Sequence, residues 1–286
     1  MKTYNIDLHL HTTASDGSDT PRELTELARA KGLSLISITD HDTIKGSEEA
    51  IKSNPDGIKI VTGIEFSCHC YDGEDFDCHI LGYGFDPASP SILGAISHGR
   101  EMRLKKLDAR LEFLKARHGI SFEKDDIDWL YSLNSAAKPH LGRLIVRLGL
   151  ADTIADAIDK YLKGAGFPDD RIDAGEAIKA ILDAGGIPVW AHPLGGEREK
   201  RLTRDELEAR LKALIPLGLR GLECLYSRYS KDDERWLLSV ADKHGLFASG
   251  GSDYHGRNKT VELARLSLEG DADCSDISIA SALLGE

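Results

Sequence analysis

Short strand-like runs alternate with helical patterns along this chain, and nearly every run ends at a histidine or a carboxylate. The runs are residues 6–10, 35–39, 59–64, 79–83, 187–191, 220–224 and 246–249. The helical patterns between them open at strong N-terminal signals. Thr20 and Glu23 form a capping box with Pro21 at the first helical position. Asp173 precedes Glu176, and Thr203 precedes Glu206, by the same three residues. Strands that alternate with helices predict an α/β fold built on a parallel sheet or barrel.

The rhythm breaks from about residue 89 to 170, where helical patterns continue without a convincing strand. Leu104, Leu107, Leu111 and Leu114 make one apolar stripe, and 141–148 and 153–162 follow. The expected organisation is therefore one α/β domain formed by 1–88 and 171–286, with 89–170 as a helical insertion. A separate all-α domain is the alternative. The chain has 286 residues, and an α/β barrel runs about 250 as a single domain. No apolar run approaches the ~18 residues of a membrane helix. Five cysteines without a regular framework, and no signal-like start, predict a reduced, cytoplasmic protein.

With 36 Lys and Arg against 48 Asp and Glu, the formal charge is −12. That charge repels nucleic acid and anionic lipid over long range, so neither a membrane partner nor a stable nucleic-acid complex is expected. The 11 histidines nevertheless cluster beside carboxylates. Asp7, His9 and His11 share one face of a strand, because alternate residues of a strand point the same way. Asp16 follows in a turn. Asp40 and His41 follow the run 35–39, and Glu65 follows 59–64. His79 opens 79–83, His192 follows 187–191, Glu223 lies in 220–224, and Asp253 and His255 follow 246–249. A single histidine is more often a core or surface residue than a ligand. Seven clusters, nearly all at or just beyond the C-terminal ends of predicted strands, are a different matter, because that end of a β/α barrel carries the active site. Imidazole with carboxylate and no thiolate suits Zn²⁺, Mn²⁺ or Fe²⁺.

These residues resemble the PHP (polymerase and histidinol phosphatase) family. The resemblance rests on Asp7-Leu8-His9-Leu10-His11 with Ser15-Asp16-Gly17, Thr39-Asp40-His41-Asp42, Gly63-Ile64-Glu65, His79-Ile80-Leu81-Gly82-Tyr83, Ala191-His192-Pro193 and Gly251-Ser252-Asp253-Tyr254-His255. It implies a distorted (β/α)7 TIM-like barrel holding two to three divalent ions. His9, His11, Glu65 and Asp253 would hold the first ion, and Glu65 would bridge to a second held by His79 and His192. Asp16, His41 and His255 would hold the third. Asp7 and Asp40 would orient the ligand imidazoles. The insertion and its Lys138-Pro139-His140 run resemble the stand-alone branch that includes nucleoside 3′,5′-bisphosphate phosphatases. Lys138 stands where branch members commonly carry Arg, so a point charge replaces a bidentate clamp.

The resemblance implies hydrolysis of a phosphate ester of a small metabolite, most plainly a nucleoside phosphate or bisphosphate. Ions bridged by Glu65 would make a shared water acidic enough to attack phosphorus near neutral pH. Lys138 and Arg143 are the expected phosphate contacts, and His140 is a candidate to protonate the leaving oxygen. The alternatives are a cyclic-phosphate or phosphodiester hydrolase, a histidinol-phosphate phosphatase and, last, a nucleic-acid proofreading module. Cys68-His69-Cys70 near Cys78 offers no fourth ligand at a standard zinc spacing, and reads as loop thiols near the site.

Overall fold

The computed structural model describes residues 5–54, 57–71, 74–133, 136–163, 166–167, 169, 171–197, 199–270 and 273–285. The chain divides into two compact units, 1–96 with 172–286, and 97–171. In chain order the elements are β1 (Ile6–Leu10), α1 (Pro21–Ala30), β2 (Leu35–Ile38), α2 (Lys45–Lys52), β3 (Lys59–Val61), β4 (Gly63–Tyr71) and β5 (Asp75–Tyr83). Then follow α3 (Pro90–His118), α4 (Lys124–Ser132), α5 (Lys138–Arg147) and α6 (Ile154–Tyr161). The chain continues with β6 (Ile172–Asp173), α7 (Ala174–Asp183), β7 (Ile187–Trp190), α8 (Arg204–Leu214), β8 (Gly221–Tyr226), α9 (Lys231–His244), β9 (Phe247–Gly251) and α10 (Ile279–Leu284).

The first unit contains two sheets. One is parallel, in the order β1-β2-β3, and the other has the order β6-β4-β5-β7-β8-β9. Helix α1 opens at the expected box. The Glu23 N–H donates to Thr20 Oγ1 at 3.2 Å, and the Thr20 N–H donates to Glu23 Oε2 at 2.8 Å. Its apolar face sets Leu24 and Ala28 against Leu10, Ile36, Ile38 and Ala50, which close one core.

The expected uniform parallel order is corrected at one strand. Strand β5 runs antiparallel to both β4 and β7. The run 59–64 is also two strands, β3 and β4, separated at Thr62, so Glu65 lies inside β4 rather than after a strand. The reversal explains how His79 joins residues at strand C-termini. The first half of a reversed strand lies where its parallel neighbours finish. The Ala191 N–H, just past β7, donates to the carbonyl of His79 at 3.0 Å.

The two sheets meet through parallel bridges, Leu10 with Tyr254 and His41 with Glu65. Around the first, the His11 N–H donates to the Tyr254 carbonyl at 2.9 Å, and the Asp253 N–H to the His9 carbonyl at 2.9 Å. A Cβ on Gly251 would lie 2.2 Å from that of His9, so glycine alone allows this approach.

The second unit is helical. Leu107 and Leu114 of α3 share a core with Leu130 of α4, Leu141, Leu144 and Ile145 of α5, and Ala157 of α6. Thr153 caps α6 by accepting the Asp156 N–H at 3.1 Å. No described helix is long and apolar enough to cross a membrane.

Candidate metal centre

Glu65 is 1% exposed, and five imidazoles converge on its carboxylate. Its Oε2 lies 3.2 Å from His9 Nε2, 3.1 Å from His11 Nε2 and 3.1 Å from His41 Nδ1. Its Oε1 lies 2.8 Å from His79 Nδ1 and 3.2 Å from His192 Nε2. Five elements meet here: β1, the segment after β2, β4, β5 and the segment after β7. The loops after β1 and β9 complete the cluster. Asp16 Oδ1 is 3.2 Å from His255 Nε2 and 3.6 Å from His11 Nδ1, and its Oδ2 is 3.9 Å from His41 Nε2. Asp253 Oδ1 is 3.4 Å from His255 Nδ1, 3.5 Å from His11 Nε2 and 3.7 Å from His9 Nε2. All nine histidines and carboxylates singled out as ligands therefore lie in one cluster.

The cluster lacks partners for atoms that need them. His9 Nε2, both ring nitrogens of His11, His41 Nδ1, Glu65 Oε2 and His255 Nε2 are buried without a hydrogen-bond partner. Each such atom would cost about 1–3 kcal/mol if it stayed unsatisfied. Four sets have ligand atoms all within 4.8 Å of one another: His11, Asp16, His41 and His255; His9, His11 and Asp253; His41, Glu65 and His79; and His79, His192 and Glu199. Unpartnered nitrogen and oxygen atoms that converge at this spacing fit divalent transition ions.

The electrostatics follow from burial among opposite charges. Burial alone would raise the Glu65 carboxyl, but His41, His9 and His79 outweigh it and hold it well below the ordinary range. Asp16 is held well below its usual value in the same way by His41 and His255. His11 is pushed well below the ordinary imidazole value by burial, with His255 and His41 adding to it. Burial also acts on His192, but Glu199 and Glu65 prevail and lift it to about 10.

Asp7 and Asp40, expected to orient the imidazoles, make hydrogen bonds to other groups. Both are fully buried, and both hold backbone and hydroxyl groups instead. Asp7 accepts the N–H groups of Ser252 and Ala264, each at 2.9 Å, and the Ser252 hydroxyl at 2.6 Å. It thereby ties β1 to the chain beyond β9. Asp40 accepts the Thr12 N–H at 2.8 Å, the Thr12 hydroxyl at 2.7 Å and the Ser15 hydroxyl at 2.6 Å, which fixes the turn between His11 and Asp16. Burial pushes both carboxyls up to about 6.

Glu223 does contact a ring of the cluster. Its Oε1 lies 2.9 Å from His9 Nδ1, and its Oε2 accepts the His192 N–H at 2.6 Å. Two residues of the cluster are also held in the left-handed backbone region, His192 at φ 28° and Asp253 at φ 59°. Strain of this kind costs about 1–3 kcal/mol per residue and gathers at functional sites.

Three residues at the site carried no sequence signal. Glu199, in the loop after His192, has Oε2 3.4 Å from His192 Nδ1. Tyr226 ends β8, and Lys259 follows the turn beyond His255. Both donate to Asp253 Oδ2, at 2.9 and 2.8 Å. A single Glu, Tyr or Lys in a loop or at a strand end has no periodicity that would mark it. Beside His79, His192 and Glu199 opens a cleft of about 400 Å³, lined also by Phe76, Trp190, Lys200 and Arg210. The Arg210 guanidinium lies 4.8 Å from the centre of the Phe76 ring.

Lys138, His140 and Arg143 lie on α5 of the second unit. His140 Nδ1 accepts the Ala137 N–H at 3.0 Å, which assigns the ring proton to Nε2. Arg143 is exposed. The thiols of Cys68, Cys70 and Cys78 are in β4 and β5, not in a loop, and all three are buried. In the β4–β5 register they alternate with Glu65 and His79, so they occupy the opposite face.

Comparison with known proteins agrees with this geometry. The PHP domain model matches residues 7–167. A 3′,5′-nucleoside bisphosphate phosphatase of Chromobacterium violaceum is 31% identical over 255 residues, which cover 88% of this chain and 87% of the relative. A 5′-3′ exoribonuclease of Haemophilus influenzae is 32% identical over 270 residues, 92% of this chain and 94% of the relative. A solved structure from Bifidobacterium adolescentis, described provisionally as a metal-dependent phosphoesterase, superposes with a TM-score of 0.76 at 29% identity and covers 98% of each chain. The chain belongs to the PHP domain family and is a metal-dependent phosphoesterase.

Proposed function

We propose that this phosphoesterase removes phosphate from a nucleoside phosphate or bisphosphate at the Glu65 cluster. The carrying observation is the Glu65 carboxylate shared by five imidazoles, with buried ring nitrogens and one carboxylate oxygen lacking partners. His9, His11, Glu65 and Asp253 are assigned to one ion, Glu65, His79 and His192 to a second, and Asp16, His41 and His255 to a third. Bound Mn²⁺, Zn²⁺ or Fe²⁺ supplies Lewis acidity toward phosphoryl oxygens and lowers the pKa of water.

The remaining roles belong to side chains of this chain. Glu223 fixes the ring of His9 and the backbone of His192, so Nε2 of His9 faces Glu65. Asp40 and Asp7 hold the turns that carry Asp16 and Asp253. Segment 89–170 is read as the helical insertion that contributes to substrate binding, with Lys138 and Arg143 as phosphate contacts. His140, carrying its proton on Nε2, is read as the donor to the leaving oxygen. The two bridges between the sheets support the reading as a distorted (β/α)7 TIM-like barrel. Five cysteines without a disulfide support a cytoplasmic setting.

The nucleotide class rests on the relatives from C. violaceum and H. influenzae, whose names share an ester of a nucleotide. The second of them favours one further reading, stepwise release from a short RNA. The test is phosphate or nucleotide release by the metal-loaded protein. Its substrates are 3′,5′-bisphosphates, mononucleotides, cyclic phosphates, histidinol phosphate and a 5′-phosphorylated oligoribonucleotide. Bisphosphates are expected to turn over fastest, and activity is expected to vanish with a chelator and return with Mn²⁺ or Zn²⁺. Full activity in metal-free protein, or preference for histidinol phosphate, overturns the proposal. Preference for the oligonucleotide selects the second reading.

A further inference from the structure

Asp253 divides its two carboxylate oxygens between two jobs. Oδ1 faces His9, His11 and His255 at 3.4–3.7 Å. Oδ2 accepts the Tyr226 hydroxyl at 2.9 Å and the Lys259 ammonium at 2.8 Å. The Tyr226 side chain is fully buried, and that of Lys259 is 21% exposed. The backbone limits the aspartate further. Its φ of 59° is unusual for a residue other than glycine, and its N–H is spent on the His9 carbonyl at 2.9 Å. The His255 ring nitrogen Nδ1 sits 2.9 Å from the Asp253 carbonyl. Rotating the carboxylate would break two charge-assisted or buried hydrogen bonds at once.

We infer that Tyr226 and Lys259 are positioning residues that restrict Asp253 to offering a single oxygen, Oδ1, to the metal cluster. This rests on the reading of Asp253 as a ligand. An aspartate that binds through both oxygens takes two positions around an ion. One held by donors on Oδ2 takes one and leaves the other for water or a phosphoryl oxygen. The two donors differ in character. Tyr226 is anchored at the end of β8. Lys259 follows the short turn Gly256–Asn258 and brings a full positive charge. Both donors are needed to hold Oδ2 against an ion, so the pair is expected to act as a unit.

The test uses the full chain loaded with Mn²⁺, in wild type and in Tyr226→Phe, Lys259→Met, Lys259→Arg, Asp253→Asn and the double Tyr226→Phe/Lys259→Met variant. The readouts are the Asp253 coordination mode, from crystal structures or X-ray absorption, and kcat and KM measured separately. Wild type and Lys259→Arg are expected to show one Asp253 oxygen at bonding distance. The double variant is expected to show two, with kcat/KM lower by about 10–100-fold, the range for outer partners of metal ligands. Two bonded oxygens in wild type, or one in the double variant, overturn the inference. Should the double variant fail to fold by circular dichroism, Lys259→Met against Lys259→Arg decides on the same criterion. Asp253→Asn separates the two levels. If it keeps full Mn²⁺ affinity, the ligand reading itself fails and the inference falls with it. If it loses affinity while the coordination mode ignores Tyr226 and Lys259, only the inference fails.

Discussion

The carboxylate of Glu223 lies 2.9 Å from Nδ1 of His9, and both side chains are fully buried. The contact fixes which ring nitrogen faces Glu65, since Nδ1 is spent on Glu223 and Nε2 points inward at 3.2 Å from Glu65. Glu223→Gln keeps the shape but weakens the acceptor. Metal affinity is expected to fall by about 10–100-fold, as for other carboxylates behind a ligating histidine. Metal content after dialysis against a graded chelator measures it, and activity should recover with excess metal. Unchanged retention of metal would show that Glu223 only packs.

Glu65→Gln should be more damaging. The amide leaves five imidazoles around a neutral group, and the NH₂ replaces an oxygen that faces unpartnered ring nitrogens. Phosphate release is expected to drop by more than about 100-fold, beyond the range for outer partners. Excess metal should not restore it. Circular dichroism and metal analysis on the same sample distinguish loss of the site from loss of the fold.

Asp233 gives a stability prediction away from the cluster. It is the N3 residue of the capping box of α9, where the Ser230 N–H and hydroxyl donate to its Oδ2 at 3.0 and 2.8 Å. Arg201 donates to the other oxygen at 2.6 Å. Partial burial would raise this carboxyl, but Ser230 and then Arg201 outweigh it and hold it below its usual value. A carboxyl depressed in the folded state adds stability above its unfolded pKa, and the gain is lost as pH falls through the folded value. Asp233→Asn should therefore lower the melting temperature at pH 7, at a cost of about 1 kcal/mol as for other caps. The gap to wild type should close below about pH 4. A gap independent of pH would assign the loss to packing.

That the nine candidate ligands would gather was legible in the sequence, because each lies in or just beyond a strand-like run or in the turn that follows one. Two capping boxes, Thr20 with Glu23 and Thr203 with Glu206, and the Asp173 cap of α7 were legible for a related reason, since all the atoms involved lie within four residues. The reversed direction of β5 was not. Strand direction is set by pairing with β4 and β7 across the sheet, and alternation within 79–83 is the same either way. The hydrogen-bond partners of Asp7 and Asp40 were not legible, on similar grounds. Proximity in sequence to His9 and His41 suggested ring contacts, whereas their partners Ser252 and Ala264, or Thr12 and Ser15, come from elsewhere in the chain. Lys259 and Tyr226 reach Asp253 only through the fold.

Lys138 carries the last prediction. It is the first residue of α5, and no acidic residue stands in that helix's first turn. A helix N-terminus has positive polarity, so a lysine there is unfavourable in isolation and favourable beside an anion. The neighbouring His140 is already spent on the Ala137 N–H through Nδ1. If Lys138 contacts the substrate phosphate, Lys138→Ala removes a charge-assisted hydrogen bond worth about 1.5–3 kcal/mol. That corresponds to a loss of about 10–150-fold in kcat/KM. A contact made equally in the bound and transition states would place the loss in KM, and one that strengthens at the transition state would lower kcat. Lys138→Arg should keep most of the activity, because a guanidinium holds phosphate at least as well. An unchanged kcat/KM in Lys138→Ala would remove this residue from the site and leave the phosphate to the metal cluster and the cleft that bears Lys200 and Arg210.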